Sequence, residues 1–178
     1  METVKEKQKK SVQLFKSSLG TTNPMAAPRV LKVVVGVGTG KAAQKDRKRN
    51  EFVMDRLAKI TGQKTALRGA KKSIATFKLR EGEPIGVVVT LRGKRMHDFL
   101  DRLLNIAIPR MRDFRGFEKK SVDAMGNLTL GIREHNIFPE VSGEELKDVF
   151  GLAVTIVTSA KTREEAITFF EAIGVKFK

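Results

Sequence analysis

KTALRGAKKSIATFKLREGEPIGVVVTLRGKRMHDFLDRLLNIA, residues 64–107, carries two hydrophobic periods in one run. Its first part reads as strands over Lys64 to Arg68, Ile74 to Leu79 and Ile85 to Leu91, the last two joined by a turn around Glu81-Gly82-Glu83-Pro84. From Met96 the period changes. Met96, Phe99, Leu100, Leu103, Leu104 and Ala107 fall at i, i+3, i+4, i+7, i+8 and i+11, one face of a helix that Pro109 ends. Strands joined by both turns and helices predict an α+β fold: a mostly antiparallel sheet with helices packed on one face and the other face open to bind a partner.

The flanks extend the pattern. Upstream, Lys5 to Ser18 reads as a weakly amphipathic helix with Val12 and Phe15 on one side, ending near Gly20, and Pro24 and Pro28 enforce an extended link. Arg29 to Val35 is a β-branched run that predicts a buried strand, and Ala43 to Ile60 a helix with Phe52, Val53, Leu57 and Ile60 facing inward. Downstream, Leu128, Leu130 and Ile132 alternate with Thr129, Gly131 and Arg133, and Leu152 to Thr158 is a further strand. Thr162 and Glu165 form a capping box for a last helix with Ala166, Phe169, Phe170 and Ile173 on its core side and Gly174 as its stop. The expected division is an N-terminal helix and linker over 1–27 and a single α+β RNA-binding domain over 28–178.

Charge points to the partner. The 178 residues carry a formal +15, which favours a polyanion, nucleic acid before an anionic membrane. Residues 1–120 hold a net +18 and residues 121–178 a net −3. Segregated signs predict a polyanion-binding body joined to a mildly acidic C-terminal third. The chain has no cysteine, which excludes disulfides, zinc fingers, iron–sulfur clusters and thiol nucleophiles. His97 and His135 lack metal-ligand spacing and read as structural or surface residues. The charged N-terminus METVKEKQKKSVQLFK and the interrupted apolar stretches predict a soluble, cytoplasmic chain with no membrane partner.

Three segments could carry function. Gly36-Val37-Gly38-Thr39-Gly40-Lys41 sits between a predicted strand and a predicted helix, where a phosphate-cradling loop would lie, but it fits neither the Rossmann fingerprint nor the Walker spacing. It reads either as a turn whose bare backbone, at Gly36 and Gly38, lets RNA come close, or as a tight connection; an RNA-modifying or nucleotide-binding enzyme built on it is the rival reading. Gly69 to Arg80 carries Lys71, Lys72, Lys78 and Arg80 with the Ser73 and Thr76 hydroxyls, groups that contact phosphates without reading sequence, while Phe77 reads as core. Arg110, Arg112 and Arg115 lie around Asp113 in a non-helical segment and can fork onto phosphates or a partner's carboxylates. Glu134 and Glu140 are not accompanied by a nucleophile. No catalytic residue, metal site or cofactor is expected, and a free-standing RNA chaperone is a third possibility.

The chain resembles the L5 family of bacterial large-subunit ribosomal proteins from about Pro28 to Lys178. The stretches that carry the likeness are Gly62-Gln63-Lys64, AKKSIATFKLREGEPIG from Ala70 to Gly86, VTLRGKRM from Val89 to Met96, IPRMRDFRGF from Ile108 to Phe117 and GNLTLGIREHNIFPE from Gly126 to Glu140. The resemblance implies a structural protein of the large ribosomal subunit that binds 5S rRNA at the central protuberance beside 23S rRNA and neighbouring 5S-binding proteins. Gln63 and Thr90 match family residues of the 5S contact, and Arg29, Lys32 and Arg92 are nearby candidates. The loop from Gly69 to Arg80 matches the family's reach toward P-site tRNA. Segments around Arg110 to Arg115 and Glu134 to Asp148, with Glu144 and Glu145, match the side that bridges to small-subunit ribosomal protein S13. One departure concerns the glycine segment, where the family usually carries Asn at the position of Gly36 and so offers an amide that this chain lacks.

Overall fold

Strand β1 (Val30–Gly38) shows how the sheet is built. Val33, Val35 and Val37 are buried, while Lys32, Val34, Gly36 and Gly38 between them are at least partly open. The sequence predicts a strand buried throughout and ending at Val35. It is buried on one side only, because successive side chains leave the pleat in opposite directions, and it runs on through the glycines, after which the Thr39 N–H still bonds the Ile85 carbonyl at 2.9 Å. A computed structural model supplies the description for residues 2–18, 23–40, 48–111, 114–141 and 149–178.

Among the described residues five strands form one antiparallel sheet. In chain order they are β1, β2 (Ala66–Gly69), β3 (Pro84–Leu91), β4 (Leu128–Ile132) and β5 (Leu152–Thr158), and across the sheet they stand β2-β3-β1-β5-β4. Alternating burial recurs on β3, β4 and β5. The predicted strand from Ile74 to Leu79 does not form. Only its ends pair, as an isolated bridge, and a 3-10 turn fills Ala75–Phe77. β-Branched residues alone do not make a strand where no layer lies beneath to cover one face.

Helices among the described residues are α1 (Val4–Ser18), α2 (Lys48–Thr61), α3 (Gly93–Arg102) and α4 (Arg163–Ile173). The chain divides into two compact units. One comprises Met1–Val33, Arg92–Leu130 and Thr155–Lys178. In it α1 packs on α4 and α3, and its Val4 and Phe15 are buried. The Val4 N–H donates to Asp101 Oδ1 at 2.6 Å, so a carboxylate from α3 sits at the positive end of α1. The helical stripe from Met96 to Ala107 is buried as predicted, but after Arg102 it widens into a π turn over Leu103–Ala107 and then a 3-10 turn containing Pro109. Such a turn re-aims the stripe so that Leu103, Leu104, Ala107 and Ile108 all stay inside. The capping box forms, with the Glu165 N–H on Thr162 Oγ1 at 3.3 Å, and Gly174 ends α4 at φ 104°. Ala166, Phe169, Phe170 and Ile173 are fully buried, and each of the larger three contributes about 1.5–3 kcal/mol of transfer free energy.

The second unit comprises Val34–Leu91 and Gly131–Val154. Here α2 covers β3, with Val53, Leu57 and Ile60 fully buried, and Val87, Val89 and Leu91 on the buried side of β3. Phe52, predicted to face the core, is only half-buried. Arg49 and Arg56 lie over its ring at 5.4 and 5.0 Å, and it meets Phe150 edge-on at 6.3 Å. Two guanidinium groups thus hold the ring at the surface through its negative face.

Candidate nucleic-acid interface

In the second unit the open side of three adjacent strands is nearly bare. β2 pairs with β3 antiparallel, Ala66 opposite Val88 and Arg68 opposite Gly86, and opposed residues share a face. With β1 beside β3, that face carries Val34, Gly36 and Gly38, then Gly86, Val88 and Thr90, then Ala66 and Arg68. Apart from Arg68 no side chain there is larger than valine. A Cβ placed on Gly38 would meet nothing within 4 Å, and one on Gly36 would only touch Val88 at 3.9 Å. Gly86 is different, since a Cβ there would crowd the Val37 carbonyl oxygen at 3.1 Å, so strand packing itself favours a glycine. At Gly36 and Gly38, by contrast, the glycines keep a surface flat that a side chain has room to cover. Backbone and small side chains let a sugar–phosphate strand approach closely, and the exposed Lys64 and Arg68 can neutralise it.

The glycine segment is therefore sheet surface over Gly36 and Gly38, and not the strand-to-helix loop that the sequence predicts; Lys41 lies outside the described residues. Gln63 and Thr90 come together: Gln63 Nε2 donates to the Thr90 carbonyl at 3.1 Å, at the end of the same face. Arg29, Lys32 and Arg92 belong to the other unit. Arg29 is exposed, and its backbone exchanges bonds of 3.0 Å with Ser159, the N–H on Ser159 Oγ and the carbonyl on the Ser159 N–H. Lys32 is half-buried, and Arg92 is the exposed N-cap of α3. That unit repeats the pattern, with buried Leu128, Leu130 and Ile156 alternating with Thr129, Thr155 and Val157, and the two threonine hydroxyls 3.1 Å apart.

Beyond Ala70, which is buried, the basic loop stands away from the core. Every residue from Lys71 to Lys78 is exposed, as is Arg80, so Lys71, Lys72, Ser73, Thr76, Lys78 and Arg80 are brought onto one projecting segment. Phe77 is 61% exposed at its tip, which corrects the expectation that it is core. The arm is too short to place the ring over an apolar layer. Lys78 has φ 50°, the one non-glycine residue with positive φ among those described.

The remaining predicted residues fall in both units or outside the described residues. Arg110 and Arg115 are exposed in the first unit and Glu134 is exposed in the second, while Arg112, Glu144 and Glu145 lie outside the described residues. His135, by contrast, is buried and structural. Its ring stacks on Phe150 at 4.0 Å, and its Nδ1 accepts from the Phe150 N–H at 3.4 Å. Burial, and then the charge of Arg56, hold its pKa below the ordinary histidine value. Burial and Lys5 do the same to His97. Among the described residues no group of three or more His, Asp or Glu is placed to hold a metal ion, and no helix is long and apolar enough to cross a membrane. Sequence reading missed Arg68 as part of the face. The signal was present in the alternation Ala66/Arg68, but only the register against β3 says which side it takes.

Comparison with known proteins places these features in a family. Residues 23–80 match the model described as Ribosomal protein L5, and residues 84–177 match the model for the C-terminus of the same ribosomal family. Similar proteins include the large ribosomal subunit protein uL5 of Desulfotalea psychrophila, 49% identical over 94% of this chain and 93% of that one. Those of Rubrobacter xylanophilus, 51% identical over 92% and 91%, and of Prochlorococcus marinus, 48% identical over 99% and 98%, bear the same name.

Proposed function

The chain belongs to the L5 family, structural proteins of the large ribosomal subunit and not enzymes, and from that membership we propose that it binds 5S rRNA through the flat face of β1, β3 and β2. The observation that carries the reading is the pair Gly36 and Gly38, left without side chains where side chains would fit. Gln63 and Thr90 sit at the end of that face, with Arg29, Lys32 and Arg92 as further phosphate contacts. Binding is by shape and charge: the sheet fixes where backbone and cations stand, and lysines and arginines replace the counterions of the RNA. By the same reasoning the loop from Gly69 to Arg80 reaches P-site tRNA, with Lys71, Lys72, Thr76, Lys78 and Arg80 against the RNA and Ser73 within the segment that carries them. Arg110, Arg112, Arg115, Glu134, Glu144 and Glu145 serve the bridge to small-subunit ribosomal protein S13. Contacts with 23S rRNA and neighbouring 5S-binding proteins complete the partners.

Filter binding of the full chain to 5S rRNA over a range of salt tests the reading. The logarithm of affinity should fall linearly with the logarithm of salt, by about 0.9 for each duplex phosphate neutralised. A flat response contradicts an RNA-phosphate interface, and equal affinity for unrelated RNA contradicts a 5S-specific one.

A further inference from the structure

Beyond the buried Ala70 the basic loop has no core beneath it, yet its backbone is closely tied. The β2–β3 register shifts between Arg68 and Gly69, and the chain leaves the sheet there. Two bonds close the neck: the Ala70 N–H on the Glu83 carbonyl at 2.9 Å and the Gly82 N–H on the Ala70 carbonyl at 3.0 Å. The arms run so close that a Cβ on Gly69 would lie 2.9 Å from the Gly82 oxygen. Further out, Ile74 and Leu79 exchange bonds of 3.0 and 3.2 Å, and the N–H groups of Phe77 and Lys78 turn back onto Ile74 and Ala75.

Two of the ties use side chains. Ser73 Oγ accepts from the Glu81 N–H across the loop at 3.0 Å. Glu83 Oε2 accepts from the Arg80 N–H at 3.1 Å, while the Glu83 N–H bonds the Arg80 carbonyl at 3.2 Å. These close the turn at which Gly82, at φ 82°, brings the chain back to β3. Lys71, Lys72, Lys78 and Arg80 repel one another, and no burial opposes that repulsion, since all four are exposed. Polar ties must supply the order. An untied loop would have to be ordered when RNA binds, at roughly 1–2 kcal/mol of backbone entropy per residue.

We propose that Ser73 and Glu83 are positioning residues that hold the basic loop preformed in the free protein and set the spacing of its cations without themselves touching phosphate. The proposal rests, for its consequence, on the reading that this loop binds RNA. It assigns Ser73 to its partner arm and makes a sharp statement about Glu83. By charge alone, removing an acid from a cationic loop should tighten RNA binding. By positioning, Glu83→Ala weakens it, whereas Glu83→Gln, which keeps an acceptor oxygen and loses the charge, does not.

Hydrogen exchange on the free full-length chain reads the ties without any RNA. The Arg80 and Glu81 amides should be protected, Glu83→Ala should release Arg80, and Ser73→Ala should release Glu81 while Ser73→Thr restores it. Titration with a tRNA transcript reads the consequence: Glu83→Ala and Ser73→Ala each lose about tenfold in affinity, with the salt dependence unchanged because no phosphate contact is removed. Random-coil exchange of both amides in the unmodified chain overturns the proposal, and so does tighter tRNA binding by Glu83→Ala. Protected amides in a chain that binds no tRNA would instead overturn the RNA reading of the loop and leave the ties standing.

Discussion

The flat face of β1, β3 and β2 and the loop that joins β2 to β3 owe their shapes to opposite causes. The face is fixed from behind: Val35, Val37, Val87, Val89, Val53, Leu57 and Ile60 are buried on its reverse, so hydrophobic packing holds a surface that can remain bare in front. The loop has no reverse side, and backbone bonds with two polar side chains hold it. A binding surface made by burial tolerates changes on its open side and fails with its core. One made by polar ties is indifferent to the core and fails when an acceptor is lost.

Leu57→Ala should give the largest effect. Deleting this fully buried side chain costs about 2–5 kcal/mol, seen as a lowered urea midpoint, while exchange protection of the loop amides relative to global unfolding stays unchanged. If the loop loosened selectively, the two regions would not be independent. Lys78→Gly separates them from the other side. Glycine relieves the left-handed strain at φ 50° and so stabilises by up to about 1 kcal/mol, yet tRNA binding should weaken because a cation leaves the tip. Equal or tighter tRNA binding by that variant would remove Lys78 from the interface.

The smallest effect is that of pH. His135 is held neutral by burial and by Arg56, with Arg49 adding to this and Glu134 opposing it. Its folded pKa lies below that of the unfolded chain, so the unfolded state binds the proton more readily. Stability from this group is complete above about pH 6.5 and falls as pH drops from there toward the lowered folded value; His97 acts in the same direction. Urea unfolding at a series of pH values should show the decline, and His135→Gln should flatten it. An unchanged slope in that variant would contradict the assignment.

Much of this was legible in the sequence where burial and period agree. The stripe from Met96 to Ala107, the alternation over Leu128 to Ile132 and the capping box at Thr162 each point to one answer locally and in the fold. Misreadings arose where local chemistry depends on what lies opposite. Gly36 and Gly38 carry the signal of a loop, but inside β1 they mark close approach to the sheet. Ile74 to Leu79 has strand composition without a layer to cover it, and Phe77 at its tip has nowhere to be buried. Phe52 fits a helix stripe, yet Arg49 and Arg56, one turn away on either side, hold its ring outward. The pairing of Gln63 with Thr90, 27 residues apart, follows only from where the end of α2 meets β3.

Substituting Gly38 with leucine tests the central claim most directly. The site is open and its backbone is ordinary extended strand, so Gly38→Leu should fold with unchanged thermal stability and unchanged tRNA binding. Its 5S rRNA affinity, measured by filter binding, should fall by about thirtyfold or more, the scale of a residue at the centre of an interface. Wild-type 5S affinity in a folded Gly38→Leu protein would contradict the account, because the bare face would then not be where the RNA lies.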